Sequence, residues 1–137
     1  MIKGRCLCGA VRIALDDWRP EVSVCHCTMC RRWGGGIMAG FVAPAHAVTV
    51  TGEVGRYASS DFSERAFCPC CGSGLWMRDT GGDFELSPGL FDGAADFPLV
   101  REVYADQAHR FAAFRGDHPR ITRADYEQTH PHVEGDA

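Results

Sequence analysis

The side chains most able to do chemistry in this 137-residue chain are eight cysteines in three tight clusters. The clusters are Cys6 and Cys8, then Cys25, Cys27 and Cys30, then Cys68, Cys70 and Cys71. Their spacings, C-x-C, C-x-C-x-x-C and C-x-x-C, bring several thiolates within about 2.3 Å of one tetrahedral ion. The spacing therefore predicts zinc binding.

Four disulfides are the alternative use of eight cysteines. The start of the chain, Met1 to Cys6, has no apolar segment and no cleavage site typical of a secretory signal. We therefore expect a cytoplasmic protein with reduced thiols. Cys70 and Cys71 are also adjacent, which suits a metal-binding turn better than two independent bridges.

The clusters differ in how many ligands they offer. Side chains two apart in an extended strand share a face, so Cys6 and Cys8 can bind one ion together, as can Cys25 and Cys27. A C-x-x-C turn brings Cys68 and Cys71 together, and two plus two ligands complete a tetrahedron. The three cysteines from 25 to 30 can share an ion by themselves, which leaves a fourth position open.

This division has a functional meaning. Closed four-cysteine zinc sites are usually structural, whereas three-ligand sites keep a position for water or substrate. An open zinc can favour the thiolate form of a substrate thiol or polarise a carbonyl. The pattern therefore indicates chemistry between a thiol and an aldehyde.

The elements that must position these cysteines are predicted to be mainly β-strands, because short alternating runs and 16 glycines dominate the sequence. Strands are predicted at Gly9 to Leu15, Glu21 to Cys25, Ile37 to Val42, Val48 to Thr51, Gly55 to Ala58, Arg65 to Cys68, Gly74 to Arg78, Phe84 to Ser87 and Arg101 to Tyr104. A helix is predicted from Arg123 to Thr129, with Thr122 as its N-cap. The other helix prediction is a short turn from Thr28 to Trp33. We expect a single zinc-binding domain over residues 1–130 and a polar C-terminal tail over 131–137.

The charge and hydropathy of the chain bear on its partners. The formal net charge is -4, and thiolates bound to zinc would make it more acidic, so nucleic-acid binding is not expected. The longest apolar stretches, such as Ile37 to Ala45, are too short to span a bilayer, so no membrane partner is expected.

The cysteines also belong to longer motifs. These are Gly4-x-Cys6-x-Cys8-Gly9-Ala10-Val11, Cys25-His26-Cys27-Thr28-Met29-Cys30-Arg31-Arg32, Tyr57-x-Ser59-Ser60 and Arg65-x-Phe67-Cys68-x-x-Cys71-Gly72-Ser73. In this order they resemble the glutathione-dependent formaldehyde-activating enzyme family, which also includes centromere protein V. The resemblance covers about Gly4 to Tyr104.

The resemblance implies a β-tent of stacked antiparallel sheets with two zinc sites. It implies a structural Zn²⁺ on Cys6, Cys8, Cys68 and Cys71, and a catalytic Zn²⁺ on Cys25, Cys27 and Cys30. The implied activity is a carbon-sulfur lyase reaction, in which a small thiol such as glutathione joins an aldehyde, formaldehyde, as S-hydroxymethylglutathione, or the reverse.

The chain departs from the family pattern at two places. Cys70 occupies a variable position of the C-x-x-C and competes with Cys71 as a ligand. Where relatives tend to carry a histidine and then a tryptophan, this chain has Arg101 and Phe111. Substrate recognition is therefore expected to differ.

Other side chains near the clusters have a functional and a plain interpretation. Arg31 and Arg32 could bind a substrate carboxylate or be a solvated turn, and Trp33 could line a pocket. His26 is predicted to be a packing or surface residue rather than a ligand. Trp33, Trp76 and Phe67 are predicted to be core, and five further histidines are predicted to be solvated, namely His46, His109, His118, His130 and His132.

Two functions remain open on these observations. The first is a zinc-dependent lyase of S-hydroxymethylglutathione synthase type. The second is a non-enzymatic zinc-binding protein-interaction module of the same fold, since no general acid or base can be named. A redox sensor is disfavoured because Cys70 is the one spare thiol.

Overall fold

A computed structural model describes residues 1–130 of the chain. The predicted tail, 131–137, and His132 within it lie outside the described residues. The chain divides into two compact units, one of Met1–Glu21 with Gly40–Phe97, the other of Val22–Ala39 with Pro98 onward. The single domain expected over 1–130 stays a prediction.

Short strands are the main regular secondary structure of the described chain. In chain order they are β1 (Ile2–Arg5), β2 (Arg12–Leu15), β3 (Val22–Cys25), β4 (Met38–Ala43), β5 (Val48–Thr51), β6 (Gly55–Ala58), β7 (Ser63–Phe67), β8 (Gly74–Asp79), β9 (Phe84–Leu86), β10 (Leu99–Val103) and β11 (Arg120–Ile121). The two α-helices are α1 (Thr28–Gly34) and α2 (Arg123–Glu127). Short 3₁₀ turns lie at Ala45–Ala47, Pro88–Leu90, Asp92–Ala94, Ala105–Gln107 and Arg110–Ala112. The predicted fold class, mainly β with a short C-terminal helix, is confirmed.

The first unit contains two antiparallel arrangements of strands. One is a three-stranded sheet in the order β1-β2-β5. Along β2, Ile13 and Leu15 are buried while Arg12 is exposed, as the period of two requires for a half-buried strand. The other runs β4-β9-β8-β7-β6, each strand antiparallel to the next.

Aromatic side chains fill the core of this first unit. Phe41 meets Phe91 and Phe97 edge-on at centroid distances of 5.3 and 5.4 Å. Trp76 packs edge-on against Phe84 at 5.1 Å and is buried, as predicted. Such edge-to-face pairs add to the free energy gained from burial alone. Through Trp76 the core supports β8, the strand that follows the third cysteine cluster.

The second unit is built on parallel pairing. β10 pairs in parallel with β3 and with β11. The register places Cys25 opposite Val103 and Val24 opposite Glu102. The antiparallel sheets implied by the family resemblance thus describe the first unit, and the second adds parallel pairs. This pairing brings the second cysteine cluster beside a strand about 76 residues away in sequence.

Predicted and observed elements differ mainly at their ends. The bounds of β5 and β6 match, whereas the strand expected from Gly9 starts only at Arg12, because Gly9 has a φ of 81° in a turn. The C-terminal helix begins after Thr122 as predicted but ends at Glu127 rather than Thr129. The strands β1 and β11 were not predicted, since neither shows a clear alternation of apolar residues.

Candidate metal centres

The first and third cysteine clusters lie in two chain reversals of the first unit. After β1, the carbonyl of Cys6 accepts a hydrogen bond from the Gly9 N–H at 3.1 Å. After β7, the carbonyl of Cys68 accepts one from the Gly72 N–H at 2.8 Å. Gly72 has a φ of 78°, a backbone conformation that a side chain would strain. Each reversal carries two of the four thiols that approach one another.

The extended-strand geometry expected for the C-x-C pairs is wrong. Cys6 and Cys8 lie in the turn that follows β1. Cys25 ends β3, and Cys27 is the N-cap of α1. In both cases the sulfurs approach because the chain folds back on itself, rather than because alternate residues of a strand share a face.

The geometry of the four-cysteine cluster fits a tetrahedral ion. The Sγ atoms of Cys6, Cys8, Cys68 and Cys71 all lie within 4.8 Å of one another. Cys8 Sγ is 3.6 Å from Cys6 Sγ and 3.8 Å from Cys68 Sγ. Zinc-sulfur bonds of about 2.3 Å in a tetrahedron place sulfurs about 3.8 Å apart. The exposed Cys70 is outside this set, and Cys71 is within it.

The thiols of this cluster differ in pKa. A hydrogen bond from Ser73 is the largest influence on Cys71 and helps to lower its pKa to about 5. For Cys8, a backbone hydrogen bond at Ala10 lowers the pKa, but burial and the neighbouring thiols raise it to about 12. Close thiolates repel one another, and a divalent cation would remove that repulsion.

The second cluster, Cys25, Cys27 and Cys30, lies where β3 passes into α1. Its three Sγ atoms are within 4.8 Å of one another. Cys27 and Cys30 are buried, and Cys25 is half-buried, so Cys25 is the most accessible of the three. Cys27 Sγ accepts a hydrogen bond from the Cys30 N–H at 3.4 Å, which fixes the first turn of the helix.

Neighbouring groups make this second cluster unfavourable for several negative charges without a cation. Hydrogen bonds with the thiols of Cys27 and Cys30, together with burial, raise the pKa of Cys25. Burial and the negative charges of Glu127 and Cys27 raise the pKa of Tyr104, so its hydroxyl stays protonated. A cation bound by the three thiolates would reverse this balance.

The charged and aromatic candidates of the sequence lie along α1. Arg31 is half-buried and Arg32 is exposed, with Arg32 Nη1 donating to the Thr28 carbonyl at 3.4 Å. Both stand in the last turn of the helix, where positive charge is favourable. Trp33 is half-buried, as is Phe67 in β7. The structure thus places Arg31, Arg32 and Trp33 on the helix that carries Cys30.

Sequence reasoning missed a buried cluster of polar side chains in the same unit. His26 is fully buried, and its Nε2 lies 2.6 Å from Glu102 Oε1. His118, predicted to be solvated, has a side chain only 6% exposed, and its Nε2 lies 2.6 Å from Glu102 Oε2. Polar neighbours in sequence suggested exposure for His118, but a partner 16 residues away buries it. His46, His109 and His130 are exposed, as predicted.

Between residues 1 and 130, none of the helices has the length and apolar character needed to cross a bilayer.

Comparisons with known proteins agree with the cysteine pattern. The family model described as glutathione-dependent formaldehyde-activating enzyme matches residues 1–107. An uncharacterized lyase of Schizosaccharomyces pombe is 35% identical over 107 residues, covering 76% of this chain and 78% of that protein. A candidate glutathione-dependent formaldehyde-activating enzyme of Halomonas elongata is 32% identical over 113 residues, covering 74% and 69%.

A solved structure supports the fold independently. The crystal structure of a Rhodobacter sphaeroides protein has a TM-score of 0.58 and 22% identity, covering 72% of this chain and 99% of that chain. At this identity the likeness shows the fold alone. The family match, the two relatives and the two cysteine clusters together show that the chain belongs to the glutathione-dependent formaldehyde-activating enzyme family.

Proposed function

We propose that the protein is a zinc-dependent carbon-sulfur lyase that joins a small thiol to an aldehyde, as in S-hydroxymethylglutathione synthesis. The observation that carries the proposal is the convergence of three thiols, Cys25, Cys27 and Cys30, within 4.8 Å of one another. A three-thiol site leaves a tetrahedral ion with a free position for substrate. Membership of the family supports the choice of glutathione and formaldehyde as substrates.

The two clusters are proposed to hold two Zn²⁺ ions with different roles. Cys6, Cys8, Cys68 and Cys71 would hold a structural ion, since four thiols close its coordination. Cys25, Cys27 and Cys30 would hold the open ion. Soft thiolate ligands favour zinc over magnesium or calcium, which prefer oxygen. When bound, the open ion would supply Lewis acidity and favour a substrate thiolate over the thiol.

The proposed reaction balances without an oxidant or reductant. The thiol sulfur bonds to the carbonyl carbon, the carbonyl π bond breaks, and the thiol proton ends on the oxygen. The chain's own contribution is to hold the cluster and exclude water around it, because Cys27 and Cys30 are each only 3% exposed. Cys25, the more accessible thiol, marks the side from which substrate would approach.

Substrate recognition is proposed to involve α1. Arg31 and Arg32 would pair with a carboxylate of the thiol substrate, and glutathione has two carboxylates. Trp33 would contact its apolar part. Eight cysteines in metal-binding spacings suit a reducing compartment, so we place the reaction in the cytoplasm.

The test combines metal content with the rate of exchange between free formaldehyde and its glutathione adduct, measured by NMR with ¹³C-formaldehyde. We expect two zinc ions per chain and faster exchange than without protein. Cys27→Ser should lose both one zinc and the acceleration, whereas Cys70→Ser, at an exposed thiol outside both clusters, should retain them. Two zinc ions without acceleration would refute the lyase and favour the protein-interaction module.

A further inference from the structure

A buried carboxylate, Glu102, contacts two imidazoles, one of them on His26 within the segment of the second cysteine cluster. Glu102 in β10 is 3% exposed, and a buried carboxylate is tolerated only when hydrogen-bond donors surround it. Its Oε1 lies 2.6 Å from His26 Nε2, and its Oε2 lies 2.6 Å from His118 Nε2. Arg120 Nε adds a third contact, 3.2 Å from Oε2. The partners come from two separate segments, one with His26 after β3 and one with His118 and Arg120 at β11, and Glu102 joins the two.

These contacts indicate which ring nitrogen of His26 and of His118 carries a proton. Burial would raise the pKa of Glu102, but hydrogen bonds with His118 and His26 and the positive charge of Arg120 lower it below its usual value. An ionised carboxylate only accepts hydrogen bonds, so each imidazole must donate its Nε2–H. The buried Nδ1 of His26 has no hydrogen-bond partner within residues 1–130, which agrees with an Nδ1 that carries no proton.

His26 stands between two of the three cluster thiols. Its backbone N–H donates to the Val103 carbonyl at 3.1 Å, while its ring is held by Glu102, the residue before Val103. Both anchors of His26 are therefore on β10. Cys25 and Cys27 flank this doubly anchored residue in the chain, so the two anchors on β10 also restrain the backbone that carries both thiols.

We propose that Glu102 is a positioning residue for the three-cysteine site, holding His26 as its Nε2–H tautomer and thereby setting the separation of Cys25 and Cys27. The inference rests on the metal site in the proposed function. It goes further because it assigns a role to a carboxylate that is neither a zinc ligand nor in contact with substrate. Groups that orient metal ligands from outside the coordination sphere typically change metal affinity about 10- to 100-fold when altered.

The test is Glu102→Gln in the full chain. Glutamine fills nearly the same volume, but it is uncharged and its one carbonyl oxygen can occupy only one of the two positions that the imidazoles face, so the hold on the His26 ring weakens. We expect the zinc affinity of the three-cysteine site, measured by chelator competition as the second zinc equivalent, to fall about tenfold or more. The affinity of the four-cysteine site, the first equivalent, should not change. Imidazole ¹⁵N–¹H spectra should show loss of the Nε2–H pattern of His26.

The matched control is His118→Gln. It removes the other imidazole but keeps a donor for Glu102 and leaves the Glu102–His26 contact in place. We expect its affinity for the second zinc to stay within about twofold of wild type. An unchanged affinity in Glu102→Gln, or an equal loss in both variants, would overturn the positioning role.

If Glu102→Gln does not fold, a measurement on the wild-type protein can still test the positioning role of Glu102. Loading the second zinc equivalent should shift the ring ¹⁵N resonances of His118 through Glu102 and His26, but not those of the exposed His46. Absence of that shift would overturn the inference. Because metal affinity is measured without substrate, a protein that shows these effects but no acceleration would contradict the lyase proposal alone.

Discussion

Losing the four-cysteine site should destabilise the protein about twice as much as losing the three-cysteine site. The perturbations compared are Cys6→Ser and Cys27→Ser, each of which removes one proposed ligand. Serine preserves size, and at residue 27 it also preserves an N-cap acceptor, the role that Cys27 Sγ has toward the Cys30 N–H. The difference should therefore report the metal sites.

The magnitude follows from the length of chain that each site closes. Cys8 and Cys68 are 60 residues apart in sequence, and their sulfurs are 3.8 Å apart. Holding such a loop closed removes chain entropy worth about 4 kcal/mol from the unfolded state, against about 2 kcal/mol for the short loop from Cys25 to Cys30. For a chain of this length, these values correspond to about 15 °C and about 7 °C in Tm.

The assay is thermal unfolding by circular dichroism or calorimetry on zinc-loaded protein, with metal content measured on the same samples. Each variant should contain about one zinc fewer than wild type. Cys70→Ser serves as the control, because Cys70 is exposed and outside both clusters, and its Tm should match wild type. Equal decreases in Tm for Cys6→Ser and Cys27→Ser would refute the loop-closure reasoning. A zinc content and a Tm both equal to wild type in Cys6→Ser would refute the assignment of Cys6 as a ligand.

Three further predictions concern the backbone, a helix cap and acid stability. Gly52→Ala should lower the free energy of unfolding, measured by urea titration, by roughly 2 kcal/mol or more. Gly52 has a φ of 102°, and a Cβ there would clash with the Ala10 carbonyl oxygen. A urea midpoint equal to that of wild type would contradict this prediction. Thr122→Ala should cost about 1 kcal/mol with no loss of zinc, since Thr122 Oγ1 accepts the Asp125 N–H at 3.2 Å; loss of zinc would show that the cap affects more than α2. Burial would raise the pKa of Glu102, but its imidazole partners lower it below the value of about 4.3 in the unfolded chain. Its ionised form therefore stabilises the fold above that unfolded pKa, and this stabilisation is lost as the pH falls through the lower pKa of the folded protein. As the pH is lowered through this range, the urea midpoint of the wild type should therefore fall more steeply than that of Glu102→Gln. Parallel decreases in the two proteins would contradict the stabilising role of the Glu102 carboxylate.

Local features of the sequence were sufficient for much of the fold. The strands β5 and β6 were predicted with the observed bounds, and Thr122 caps the last helix as its capping pattern indicates. These predictions depend on residues close in sequence, whose alternation and side-chain hydrogen bonds act over a few positions. Turns were harder to predict from the sequence. The reversal at Cys6 depends on a hydrogen bond from the Gly9 N–H to the Cys6 carbonyl, although the residue types there suggested an extended strand.

The sequence by itself determined the kind of chemistry available, since cysteines clustered at these spacings can offer several thiolates to one ion. It also pointed to the family through the order of its motifs. Tertiary structure decided which Sγ atoms lie together, with Cys71 rather than Cys70 beside Cys6 and Cys8. It alone decided the buried network of His26 and Glu102, because a contact 76 residues apart depends on parallel pairing of β3 with β10. Strand pairing of this kind is set by the packing of the whole unit, and no spacing within a single segment encodes it.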